Sequence, residues 1–107
     1  MAHLSTHVLD AVSGRPAADV AVTLSDPAGT TIIRAATDSD GRIVNFGPDL
    51  DVGIYRLTFD TAAYFAANET SGFYPEVTIT FEIDSGAGKY HVPLLLSPYA
   101  YSTYRGS

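Results

Sequence analysis

The run Val77–Ile83, VTITFEI, alternates apolar and polar side chains without a fault and stops at the turn-type stretch DSGAG. A strict period of two fits a strand with one buried face; it does not fit a helix, whose period is 3.6. The same grammar recurs along the chain. HLSTHVLD is followed by AVSGRPAAD, VAVTLS breaks at DPAG, and TTIIRAAT ends at DSDGR. IVNF leads into GPDLDVG, IYRLTF follows, and KYHVPLLL and AYSTYRG close the chain around Ser97-Pro98. Short β-type runs punctuated by Asp, Gly and Pro turns predict an all-β fold of about eight strands, a two-sheet sandwich or barrel. One stretch departs from the pattern. DTAAYFAANET has Asp60 or Thr61 in N-cap position, then alanines and two rings. It predicts one short helix between strands.

A chain of 107 residues with no repeat, linker or low-complexity stretch reads as one domain, residues 1–107. Hydrophobic residues make up 46% of it, enough to fill one core. It has no cysteine, which excludes disulfides, thiol catalysis and cysteine-based zinc sites. The net charge of −6 is spread along the chain and argues against nucleic acid or an anionic membrane as partner. No apolar run approaches the roughly 20 residues of a membrane helix. The start, MAHLSTHVLD, has neither the basic nor the long apolar region of a signal peptide, so the expected location is cytoplasmic.

Strand parity sorts the side chains further. Thr6 and Val8 share one face of the first run, and His3, Ser5, His7 and Leu9 share the other. In KYHVPLLL, Val92, Leu94 and Leu96 form the apolar set, with His91, Pro93 and Leu95 opposite. Ser102 and Tyr104 share a face near the end. Both interior histidines therefore lie off the core face, as residues lining a cleft or covered by a partner would. Pro93 cannot donate to a ladder, so one neighbour bond is missing there or the strand is near an edge. The last strand is a poor free edge, which predicts pairing with another copy.

Each candidate has a bland reading. A lone strand histidine is more often structural than catalytic, and Arg42 after DSDG alone reads as a surface charge. His3 and His7 are separated by roughly 13 Å of strand, too far to share an ion, and His3 reads as solvated. Ser5, Ser102 and Ser107 lack the glycine-flanked elbow of a serine hydrolase, and no paired carboxylates suggest glycosidase chemistry.

The stretches LSTHVLDAVSGRPAADVAVTL, TDSDGR, YRLTFDTAAYFA, FYPEVTITF and YHVPLLLSPYAYSTYRGS together resemble the 5-hydroxyisourate hydrolases of the transthyretin-related family. The resemblance covers nearly the whole chain, and the terminal Tyr-Arg-Gly-Ser is its most specific part. It implies a transthyretin-like sandwich and a homotetramer, a dimer of dimers, with sites in a channel between the dimers. It implies hydrolysis of 5-hydroxyisourate to 2-oxo-4-hydroxy-4-carboxy-5-ureidoimidazoline in urate degradation, with no cofactor and no metal. The family's catalytic residues fall on His7, Arg42 and His91, and its C-terminal substrate-binding motif falls on Tyr104, Arg105, Gly106 and Ser107. The chain departs from the pattern at none of these positions.

That reaction needs a base for water, a donor for oxyanion charge and a proton for the leaving nitrogen. Histidine suits the first and third, because its pKa lies near working pH. Arginine offers a fixed, always-charged fork for the second. The assignment of the base to one histidine stays open at this level. Three rivals remain beside the enzyme: a carrier of an aromatic ligand in the same channel, a metal-handling protein using His3, His7 and His91, and a purely structural sandwich. The carrier needs apolar or small residues where this chain has His7, His91 and Tyr104.

Overall fold

The computed structural model describes residues 2–84 and 88–106. Among these, nine strands and one helix occur in the order β1 (Ala2–Asp10), β2 (Arg15–Pro16), β3 (Ala21–Ser25), β4 (Thr31–Ala36), β5 (Arg42–Ile43), β6 (Gly53–Phe59), α1 (Thr61–Ala67), β7 (Val77–Ile83), β8 (Gly88–Ser97) and β9 (Ala100–Thr103). They form two sheets. The first runs β2-β1-β8-β9, with β5 also paired to β1; the second runs β4-β3-β6-β7. This is the expected sandwich with one short helix. No helix among the described residues is long and apolar enough to cross a membrane.

The alternation dictates the packing. Leu4, Val8, Val92, Leu94 and Leu96 face inward from the first sheet, and Val22, Leu24, Leu57, Phe59, Val77 and Ile83 meet them from the second. All are buried. Burial of each large side chain contributes roughly 1.5–3 kcal/mol. Thr6 is the polar exception on that face, and its hydroxyl donates to the Val92 carbonyl at 2.7 Å.

The helix starts where its cap predicts. The Asp60 carboxylate accepts from the Ala63 amide at 3.2 Å, and Phe65 is buried. Two details differ from the sequence reading. AVSGRPAAD, read as a turn, holds the two-residue β2, too short for any pattern to mark. IVNF, read as a strand, contributes only Ile43 to β5, because Asn45 adopts a left-handed φ of 51° that ends the ladder.

The pairing that positions the site is β1 with β8. They run parallel and in register from Ala2↔Gly88 to Asp10↔Leu96. On the other edge of β1, β5 pairs antiparallel through Thr6↔Ile43 and His7↔Arg42. Pro93 is tolerated in this inner strand because β9 pairs only from Leu94 to Ser97. Beyond the end of that ladder, the Thr103 hydroxyl donates to the Pro93 carbonyl at 2.7 Å.

Candidate active site

The outer face of the first sheet collects residues that are far apart in the chain. His7 and Arg42 are direct partners across β1 and β5, and Ser5 and His91 are partners across β1 and β8. His7 and His91 are then diagonal neighbours, about 8 Å apart between backbones from the strand spacing and rise.

The turn that delivers Arg42 is tightly specified. The Asp38 carboxylate accepts from the Asp40 amide at 2.9 Å and from the Arg42 amide at 3.0 Å. The Val8 amide donates to the Gly41 carbonyl at 2.7 Å, which fastens the turn to β1. Gly41 has a φ of 74°, and a Cβ there would stand 2.4 Å from the Val8 carbonyl oxygen. Only glycine meets both demands.

A cleft of about 290 Å³ and a second of about 210 Å³ meet at His91. The smaller one is lined by Ser5, Thr6, Arg42, Val44, Lys89 and His91. His7 is the next residue along β1 on that face. Two of the chain's six Lys and Arg thus border this cleft, and among the described residues no carboxylate side chain does. An acidic molecule therefore presents a locally positive pocket, suited to a polar or anionic ligand.

His91 is the most perturbed group there. Burial first, then the charge of Arg42 and of His7, hold its imidazole below the ordinary histidine range, and the contact with Ser5 opposes them. The Ser5 hydroxyl lies 2.8 Å from Nδ1 of His91. With the proton of the neutral ring on Nδ1 and donated to the Ser5 hydroxyl, Nε2 is left free to accept a proton.

The tail reaches His91 from the other side. The Gly106 amide donates to the His91 carbonyl at 2.9 Å. A Cβ on Gly106 would stand 2.4 Å from Cδ2 of His91, so glycine is required by close approach. Tyr104 is exposed and Arg105 lies beside it, and both line the larger cleft with Ile79, Phe81 and Glu82 of β7. The guanidinium carbon of Arg105 sits 4.7 Å above the ring centroid of Tyr90. The described residues thus bring His7, Arg42 and His91 to one face and set Tyr104 and Arg105 in an adjoining cleft that shares His91. Ser107 lies outside the described residues.

His3 is exposed, in keeping with its sequence reading as a solvated residue. Its Nδ1 lies 2.9 Å from the Asp49 carboxylate at the surface. Lys89 has the parity of His91, but no motif in the sequence marks it; Ser5, on the His7 face, meets the His91 ring. Among the described residues, no group of three or more His, Asp or Glu side chains is arranged to hold a metal ion.

Comparison with known proteins bears on this arrangement. The family described as HIUase/Transthyretin matches residues 4–106. The 5-hydroxyisourate hydrolase of Salmonella typhimurium is 44% identical over 109 residues, covering 97% of this chain and 80% of the relative. The solved structure of Klebsiella pneumoniae 5-hydroxyisourate hydrolase superposes with a TM-score of 0.93 at 41% identity, covering 100% of both chains. The crystal structure of transthyretin from Sparus aurata superposes with a TM-score of 0.89 at 35% identity, covering 96% of this chain and 95% of that one.

Proposed function

The chain belongs to the HIUase/Transthyretin family, and from that premise we propose that it hydrolyses 5-hydroxyisourate. Its place is then in urate degradation, after the oxidation that yields this substrate. The observation that carries the reading is the register that sets Arg42 opposite His7 and His91 diagonal to it on one positively charged face.

The reaction adds water to a ring carbonyl and breaks the adjacent C–N bond. His91 is the base in our reading. It is held neutral at working pH by burial and by Arg42, and it takes a proton from water. The water oxygen bonds to the carbonyl carbon, and Arg42 donates to the oxygen as it gains charge. The C–N bond then breaks, the electron pair goes to nitrogen, and a proton reaches that nitrogen by way of His7. Lys89 adds positive charge at the cleft wall. Tyr104, Arg105, Gly106 and Ser107 complete the substrate side from the tail. The reading calls on no cofactor and no metal.

The assembly we propose is a homotetramer, a dimer of dimers, of a chain that is one domain over residues 1–107 and works in the cytoplasm. Two features support the assembly. The edge strand β9 is exposed along its whole length, and Val44 on the cleft wall is an apolar side chain with 64% of its surface open. A second pair of chains facing this sheet would cover both clefts and strengthen the interactions within them.

The test is direct. Freshly generated 5-hydroxyisourate, made from urate with urate oxidase, decays with an ultraviolet signal. The protein should accelerate that decay. A protein that binds the compound but leaves the spontaneous rate unchanged is a carrier on a transthyretin-like fold, and the hydrolase reading fails.

A further inference from the structure

Tyr90 and His91 are consecutive on β8 and therefore point to opposite faces of the sheet. His91 faces the charged cleft; Tyr90 is buried on the inner side. The Tyr90 hydroxyl donates to the Asp84 carboxylate at 2.7 Å, which fixes the ring from the end of β7. The guanidinium carbon of Arg105 lies over that ring, 4.7 Å from its centroid. The next residue, Gly106, bonds the His91 backbone and packs against the His91 ring with no room for a Cβ. The tail thus grips β8 from both sides, with Arg105 on the face behind and Gly106 against the imidazole.

We propose that Asp84 and Tyr90 are positioning residues, a clamp that holds the C-terminal segment by Arg105 and, through Gly106, sets where the His91 imidazole stands. This rests on the hydrolase reading above for its effect on turnover. Three physical effects act in the same direction. A guanidinium over a tyrosine face is drawn to the negative face of the ring, more strongly where water is excluded. The hydrogen bond to Asp84 keeps the ring from swinging. The Asp84 carboxyl is held below its ordinary range chiefly by that hydrogen bond, with the charge of Arg105 adding to it. The imidazole has little freedom to answer a displaced tail. Ser5 holds Nδ1, and Gly106 stands so near Cδ2 that a Cβ would not fit between them.

A double-mutant cycle on the full-length protein tests this. Tyr90→Leu and Arg105→Ala should each lower kcat for 5-hydroxyisourate decay by roughly ten- to a hundredfold, the cost of a misplaced catalytic group. The double variant should be no slower than the slower single variant, because both remove the same grip. Tyr90→Phe, which keeps the ring, should retain more activity than Tyr90→Leu.

A second measurement does not depend on turnover. The His91 ring resonance, read by NMR beside Ser5, His7 and Arg42, should move alike in Tyr90→Leu and Arg105→Ala. Multiplicative losses, or an unmoved resonance in a folded variant, overturn the clamp. If the wild-type protein leaves the decay unchanged, the hydrolase reading fails and the resonance alone decides. If Tyr90→Leu does not fold, Asp84→Asn at the exposed carboxylate takes its place in the same cycle, with the same outcomes.

Discussion

The outer face of the first sheet carries Ser5 and His7 on β1, Arg42 on β5, and Lys89 and His91 on β8; the outer face of the second carries Thr23 on β3, Arg34 on β4, Arg56 and Thr58 on β6, and Thr78, Thr80 and Glu82 on β7. Both faces are made by the same alternation over the same core. On the second, polar groups meet their like, as where the Thr58 and Thr78 hydroxyls lie 3.2 Å apart across an antiparallel pair. On the first, a parallel pair brings together residues 86 apart in sequence, Ser5 and His91, under a turn that supplies a guanidinium. A sandwich offers two polar faces as a matter of geometry. Chemistry arises on the one where ionisable groups are partly stripped of water and share a neighbour's charge.

His91→Ala should therefore give the largest effect. We expect the rate of 5-hydroxyisourate hydrolysis to fall by about 10²–10⁴-fold, with stability changed by no more than about 1 kcal/mol. Thr78→Ala on the other face should leave the rate alone and move stability by no more than about 0.5 kcal/mol. Decay assays and thermal melts on the two variants check the pair. Equal losses of activity would erase the distinction between the faces.

The contrast between the faces was half legible in the sequence. Parity alone placed His7 and His91 off the core, because a period of two is a local property of each strand. The meeting of the two strands was not legible from the residues, since parallel pairing of the first and eighth strands leaves no local signal. The resemblance supplied it by analogy. Asn45 ends β5 after Ile43, a backbone choice that an apolar run conceals. Lys89 has the right parity, but no motif marks it. The resemblance assigns Tyr104, Arg105, Gly106 and Ser107 together to the binding of substrate. The structure divides this segment, because Arg105 finds the buried ring of Tyr90 on the inner face while Gly106 touches His91.

Gly41→Ala sharpens the comparison from within the turn. The new Cβ would meet the Val8 carbonyl oxygen, and φ is already left-handed. Strain of this kind costs on the order of 1–3 kcal/mol. Relief requires the turn to lift from β1, which carries Arg42 away from His7. We expect a loss of roughly 10²-fold in kcat/KM beside the loss of stability, read in the same assay and in urea unfolding. A variant that loses stability but keeps its kcat/KM would separate Arg42 from the reaction.

The pH profile tests the electrostatic half of the claim. His91 is held below its ordinary range, so its neutral form persists to lower pH than in a free histidine. The acidic limb of kcat/KM should have its midpoint below about 6.5. The consequence for stability has the same sign. Between the unfolded and folded pKa values the unfolded chain binds more protons, so stability is full above the unfolded value and declines as pH falls toward the folded one. Arg42→Gln removes one cause of the shift and should move the NMR titration midpoint of His91 upward. A midpoint unmoved by that change would mean the guanidinium does not act on the imidazole.

The smallest effect belongs to the end of β1 away from the cleft. The Tyr64 hydroxyl on α1 donates to the Asp10 carboxylate at 2.8 Å, and the other oxygen of Asp10 accepts from the amides of Val12 and Ser13. Burial, helped by that hydrogen bond and by the Asp10 charge, pushes the Tyr64 hydroxyl up to about 12. Tyr64→Phe should cost about 1 kcal/mol near neutral pH and leave kcat unchanged. The bond contributes fully below the unfolded tyrosine pKa of about 10 and is lost as pH rises toward the folded value. The urea midpoints of the wild type and the variant should therefore converge between those two pH values. Residues near His7 carry activity with little stability, and residues near Asp10 on the same strand carry stability with no activity. A fall in kcat for Tyr64→Phe would show that β1 transmits strain along its length, and the division between its two ends would not stand.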